Sequence, residues 1–261
     1  MKMTPLLLTT LMAGLSVPAS AATISLNATV RDFCSSAYAA VQGCTPHQDF
    51  NNNGTGSISN AVKTTLGADG KPVYNNPTTS GDIFSGAANF DQWYRDTPGV
   101  NQTIATTLEL TETSPGIYQY LSNAYFPIDG LGWGNQGNSH NYHFTMELHT
   151  TFTYQTGQIF NFTGDDDVWV FINKQRVIDL GGIHGAASQP VNLDTLGLVA
   201  GENYDFDFFF AERHLTGSNL RITTSIAFDD NNDNNVPEPG TLALAALALA
   251  GAAGTRRRSR R

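Results

Sequence analysis

The amino-acid sequence predicts an all-β fold, a β-sandwich with long irregular loops, and three observations carry it. Over residues 143–154, Phe144, Met146, Leu148, Phe152 and Tyr154 alternate with His143, Thr145, Glu147, His149, Thr151 and Thr153, the period-2 pattern of a half-buried strand. Residues 168–172 read VWVFI, apolar on both faces, as in a central strand covered on both sides. The remaining strand-like runs are separated by turn residues, and no long amphipathic helix interrupts them, the pattern expected of a sandwich.

The elements follow in chain order. Lys2, an apolar run over 5–17 and the small residues ending at Ala21 read as a cleaved secretory signal over 1–21, too short to span a bilayer comfortably. Residues 22–230 form the expected folded domain. Its two cysteines, Cys34 and Cys44, in an exported chain read as a disulfide closing a short loop, with two free thiols as the alternative. Residues 45–60 and 67–82 are rich in turn formers, 84–97 suggest a short helix, and 105–112 and 118–124 suggest short strands. Glycines recur over 128–139, around Trp133, which predicts a long loop. After the strands at 143–154 and 168–172, residues 173–175 turn the chain into a strand at 176–180. Residues 204–210 and 220–228 are expected to pair through a turn at 216–219. A polar linker covers 231–236.

Charge and missing motifs exclude several functions. The chain carries a net charge of −9, and without Lys2 and the five tail arginines it keeps 8 basic against 23 acidic residues. That disfavours nucleic acid or an anionic membrane surface as partner and is compatible with cations and neutral sugars. There is no G-x-S-x-G elbow, no P-loop and no H-E-x-x-H. A glycosidase pair of carboxylates is a weak signal among 23 acidic residues, so the reading is not an enzyme. His143, Glu147 and His149 spread about 20 Å along a strand and cannot share one zinc ion, whose ligands lie near 2 Å; a solvated strand face is the expectation.

Two resemblances enter on specific residues. At the C-terminus, Val236, Pro237, Glu238, Pro239 and Gly240 precede a Leu/Ala run and five arginines. Segment 237–261 thus resembles the PEP-CTERM sorting signal of Gram-negative bacteria, with an ordinary membrane anchor as the alternative. The resemblance implies a short transmembrane sorting helix, processing by an exosortase near Pro237, Glu238 and Pro239, and an exopolysaccharide-producing envelope. Ahead of it run V-R-D-F at 30–33, H-Q-D-F at 47–50, G-K-P-V-Y at 70–74, F-D-Q-W-Y-R-D at 90–96, H-N-Y-H-F-T at 140–145, F-T-G-D-D-D-V-W-V-F at 162–171, D-L-G-G-I-H at 179–184 and F-A-E-R-H at 210–214. This ordered series resembles the fibro-slime domain, itself similar to the protective-antigen-type sandwich that includes the yeast flocculin lectins. In those lectins an aspartate pair joined by a cis peptide precedes an apolar strand and holds a calcium ion that coordinates sugar hydroxyls. Asp165 and Asp166 stand at the matching place, so the resemblance implies Ca2+ and a polysaccharide or glycan partner.

Read physically, Asp165, Asp166 and Asp167 are three successive carboxylates with no cation in the loop. In extended chain Asp165 and Asp167 share a face about 6–7 Å apart and repel by roughly 3 kcal/mol at an effective dielectric near 20. A hard cation with oxygen ligands removes that penalty; a side-chain-capped turn is the alternative. Three aspartates do not fill the six to eight positions calcium takes. Glu212, Asn219 and the carbonyls of 216–218 are candidates for the rest. His184, after two glycines, is a candidate ligand contact or packs in its turn, and Trp133 a candidate stacking platform. The expected function is an exported carbohydrate-binding or adhesive module on a bacterial surface or in its matrix, processed by signal peptidase and exosortase, with a purely structural matrix protein as the alternative.

Overall fold

The computed structural model describes residues 21–35, 43–50, 54–77 and 83–229. The predicted signal peptide but for Ala21, and the linker and sorting tail with Pro237, Glu238 and Pro239, lie outside these residues. Among the described residues no helix is long and apolar enough to cross a membrane.

The strands are β1 (Thr23–Phe33), β2 (Gly56–Ser57), β3 (Asn101–Ser114), β4 (Ile117–Ser122), β5 (Phe144–Thr153), β6 (Ile159–Asp165), β7 (Asp167–Ile172), β8 (Gln175–Leu180), β9 (Gly182–Ile183), β10 (Ala187–Asn192), β11 (Asn203–Glu212) and β12 (Asn219–Thr224). The 84–97 segment holds one helix, α1 (Ala87–Phe90). Ten strands form one antiparallel sheet ordered β10-β6-β12-β4-β3-β1-β5-β11-β7-β8. The sheet folds over on itself: Phe160 and Phe162 of β6 meet Phe206 and Phe208 of β11 across the core at 5.0 and 5.6 Å between ring centroids. Its two edges come together where the Gln189 side chain of β10 accepts from Asp179 N–H and donates to the Val177 carbonyl of β8. This side-chain amide covers edge groups that would otherwise be open to another strand. The fold is therefore a two-layered β-structure in which one continuous sheet supplies both layers.

Two expectations are corrected. The runs at 204–210 and 220–228 do not pair: β11 lies between β5 and β7, while β12 lies between β4 and β6. The connection between them crosses from one layer to the other, because Phe206, Phe208 and Phe210 fill the core from one side and Leu220 and Ile222 from the other. The strand at 143–154 is half-buried only over its second part, where His149, Thr151 and Thr153 are more exposed than Thr150 and Phe152. His143, Thr145 and Glu147 are buried like Phe144 and Met146, because described residues between 33 and 100 pack over the polar face there. There Thr145 Oγ1 donates to the Trp93 carbonyl, and Glu147 is gripped by Arg31 and Lys71.

That covering segment builds a second core of Phe33, Phe50, Phe84, Phe90, Trp93 and Tyr94 against Trp169, Phe171 and Phe209. The doubly apolar 168–172 run is thus explained. Val168, Val170 and Ile172 face the inter-layer core, and Trp169 and Phe171 the second. Double covering holds as expected, although β7 is next to the sheet's last strand rather than at its centre. The hairpin into β8 turns on Asn173 and Lys174, both at positive φ (51° and 63°), as in a two-residue turn that matches strand twist. Cys34 and Cys44 form a disulfide.

Candidate functional site

The site lies where β6 ends and β7 begins. The peptide between Asp165 and Asp166 is cis. Asp165 and Asp166 line a pocket of about 300 Å³. Ile183, His184 and Gly185 after β9 form another side, His214, Thr216 and Gly217 from the β11–β12 connection a third, and Thr55 ahead of β2 the last. Among the described residues no lysine or arginine lines it.

Each pocket carboxylate is oriented by fixed donors. Asp165 accepts from the Asn219 backbone N–H at 2.5 Å and from Asn219 Nδ2 at 2.8 Å, a consequence of the β6–β12 register that sets the two residues opposite. Asp166 accepts from the backbone N–H groups of His184 at 3.2 Å and Arg213 at 3.1 Å. A carboxylate oxygen offers two lone pairs, so each keeps acceptor capacity toward the pocket. Burial pushes the Asp166 carboxyl up to about 7, with Arg213 opposing the rise and the charges of Asp167 and Asp165 adding to it.

Asp167 has a different fate from the expected one. It does not share a face with Asp165 and does not line the pocket. It is fully buried, accepting from Gly182 N–H at 2.5 Å and from Arg213 Nε at 2.7 Å. Arg213, also fully buried, reaches on to the carbonyls of Ile83 (2.7 Å) and Asp49 (3.2 Å). Its guanidinium lies 4.8 and 4.7 Å from the Phe84 and Trp93 rings. Burial raises the Asp167 carboxyl pKa even against the opposing pull of Arg213, as expected when desolvation of both ions competes with their attraction. Asp167 therefore anchors the second core through Arg213, and its full burial keeps it from the pocket. Arg213 was not singled out in the sequence; a cation three residues before the predicted turn at 216–219 was the available signal.

The other expected residues separate. Glu212 is buried behind the pocket, where Oε1 accepts from His214 N–H and Oε2 has no hydrogen-bond partner. Burial, reinforced by Asp166 and Asp165, raises its pKa well above the usual carboxylate range. Asn219 holds Asp165 rather than lining the pocket. His184 is at the pocket. Trp133 is not: its backbone N–H is tied at 2.6 Å to Asp32, in a glycine-rich loop that also binds Asp32 through Asn141. His143, Glu147 and His149 do not form one cluster: His143 is buried apart, Glu147 pairs with Arg31 and Lys71, and His149 bridges Glu147 and Asp207.

Among the described residues no group of three or more His, Cys, Asp or Glu is placed to hold a metal ion. The pocket instead offers two hard carboxylates and about 300 Å³ of room for exogenous oxygen ligands. This set fits calcium, which takes irregular oxygen shells completed by carbonyls and water. It does not fit a closed zinc site of nitrogen and sulfur ligands.

The family profile of the PA14 domain matches residues 127–239, and that of the PEP-CTERM protein-sorting motif matches residues 235–258. The sorting motif implies export and sorting to the cell surface in bacteria. Among curated proteins the chain is similar to protein psiR of Dictyostelium discoideum, 46% identical over 196 residues, covering 69% of this chain and 20% of psiR. It is similar to protein psiC of the same organism, 40% identical over 234 residues, covering 83% of this chain and 43% of psiC. The chain thus spans well under half the length of these relatives. Among solved structures it is similar to a PA14 sugar-binding domain from an RTX adhesin, with a TM-score of 0.37 and 11% identity, covering 80% of this chain and 94% of that domain.

Proposed function

We propose that this chain is an exported, non-catalytic glycan-binding module of the fibro-slime type, placed on a bacterial cell surface or in its matrix. In this reading it holds calcium at Asp165 and Asp166 and uses the ion to engage sugar hydroxyls. The observation that carries the reading is the pair itself. Two adjacent carboxylates line one polar pocket, each clamped by backbone or amide donors, and no lysine or arginine among the described residues lines it. Two carboxylates leave most of calcium's six to eight positions open. Loop carbonyls of 214–217 and water take some, and vicinal hydroxyls of a sugar suit the remainder. Asn219 orients Asp165, and Asp167 supports the loop without touching the ion. The match to the PA14 domain over residues 127–239, which include Asp165 and Asp166, supports the reading, as does the PEP-CTERM motif for exosortase processing and export.

Thermal melting of the 22–236 fragment with and without calcium tests the ion. An ion present at a hundred times its Kd stabilises by about 2.7 kcal/mol, which moves the Tm of a domain this size by roughly 5–10 °C. Asp165→Ala with Asp166→Ala abolishes the shift. A wild-type Tm indifferent to millimolar calcium rejects the metal. A glycan array read with calcium and with chelator tests the sugar, and chelator-insensitive or absent binding rejects the calcium-dependent lectin.

A further inference from the structure

We propose that Thr55 is a specificity-determining residue of this pocket, and that the segment packed outside the ten-stranded sheet acts as the arm that selects the glycan. The inference rests on the calcium-dependent glycan reading above and adds to it which part of the chain reads the sugar.

Every other pocket residue belongs to the junctions of the sheet: the β6–β7 corner, the turn after β9 and the β11–β12 connection. Thr55 alone comes from elsewhere. It is exposed, and it stands one step beyond the β2–β9 pairing of Gly56 with Ile183, beside His184 in the continued register. Its hydroxyl both donates and accepts, which is the chemistry a neutral sugar presents.

The placement of Thr55 is built, not incidental. Ile58 N–H donates to the Gly181 carbonyl at 2.6 Å. Gly182 sits at φ 109°, and a Cβ there would lie 2.1 Å from the Gly56 carbonyl oxygen, so β2 approaches as closely as only glycine permits. The same Gly182 N–H is held by Asp167, whose other oxygen holds Arg213, and Arg213 grips the carbonyls of Asp49 and Ile83 on either side of Thr55 in sequence. The ion-side loop and the Thr55 wall are thus tied to one buried pair. A substitution at Thr55 itself changes the wall and leaves these ties to Asp167 and Arg213 in place.

The test compares wild type, Thr55→Val and Thr55→Tyr by calcium-linked melting and on one glycan array with calcium present. Thr55→Val removes the hydroxyl at constant shape and weakens the preferred glycan by about fivefold, the scale of one neutral hydrogen bond. Thr55→Tyr narrows the pocket and changes the relative preference among glycans by at least about tenfold. Both variants keep the wild-type calcium shift, which shows that they fold and hold the ion. If both keep wild-type affinities and ranking within about twofold, the assignment of Thr55 is overturned and the lectin reading stands. If wild type itself binds no glycan, the lectin reading fails, and this inference fails with it.

Discussion

Replacing Arg213 with methionine is the perturbation that most directly tests how the site is held. Arg213 and Asp167 are both fully inaccessible, with Nε 2.7 Å from the carboxylate. The guanidinium also donates to two carbonyls of the outer segment and lies over Phe84 and Trp93. Methionine keeps most of the volume but strands the Asp167 carboxylate, held only by Gly182 N–H. Breaking one side of a buried pair costs about 3–5 kcal/mol, mostly from the uncompensated partner. Adding Asp167→Asn removes the stranded charge and keeps an acceptor for Gly182. The double variant is therefore expected to be more stable than Arg213→Met alone by at least about 1.5 kcal/mol. Guanidinium unfolding at pH 7 with chelator present, so that ion binding does not contribute, measures both. The reasoning is refuted if Arg213→Met costs less than about 1 kcal/mol, or if the single losses simply add in the double variant.

Two further predictions follow from other parts of the fold. Burial opposes the charge on His149, but the hydrogen bonds and charges of Asp207 and Glu147 outweigh it and raise its pKa to about 9. The folded value lies above the unfolded one, so this contribution is complete below about pH 6.5 and is lost as pH rises through about 9. Tm should fall over that window, and His149→Gln should flatten the fall; an unchanged profile in the variant contradicts the assignment. Gly182→Ala places a methyl against the Gly56 carbonyl at a positive φ and should destabilise by more than about 1 kcal/mol. It should also raise amide exchange at Ile58, whose N–H bonds to Gly181, and a variant with wild-type stability and exchange contradicts the close β2–β9 approach.

Much of the fold was legible because strand periodicity is local. The alternation of 143–154 and the doubly apolar 168–172 located β5 and β7, and residues 173–175 located the hairpin. β1 was equally legible and was missed. Ile24, Leu26, Ala28 and Val30 are buried in strict alternation with more exposed neighbours. β6 alternates too, with Phe160 and Phe162 buried between half-buried neighbours, whereas Pro190 interrupts the pattern of β10 at a sheet edge. The cysteine pair was legible from export and count alone.

The candidate site was legible in composition but not in geometry. Three successive aspartates before an apolar strand mark a site, and nothing in GDDDVWVFI says which of them faces solvent. That depended on Arg213, 46 residues away, and on the outer segment whose carbonyls receive it. By itself, then, the sequence determined where strands run, which faces are apolar and where acidic chemistry gathers, because each depends on neighbours within a few residues. Only the tertiary structure decided that β11 and β12 part into opposite layers, that Asp167 pairs with a buried arginine while Asp165 and Asp166 turn to the pocket, and that Thr55 completes its wall. Those outcomes are set by registers and ion pairs between residues far apart in the chain, where the desolvation of a charge is settled by whatever else packs against it.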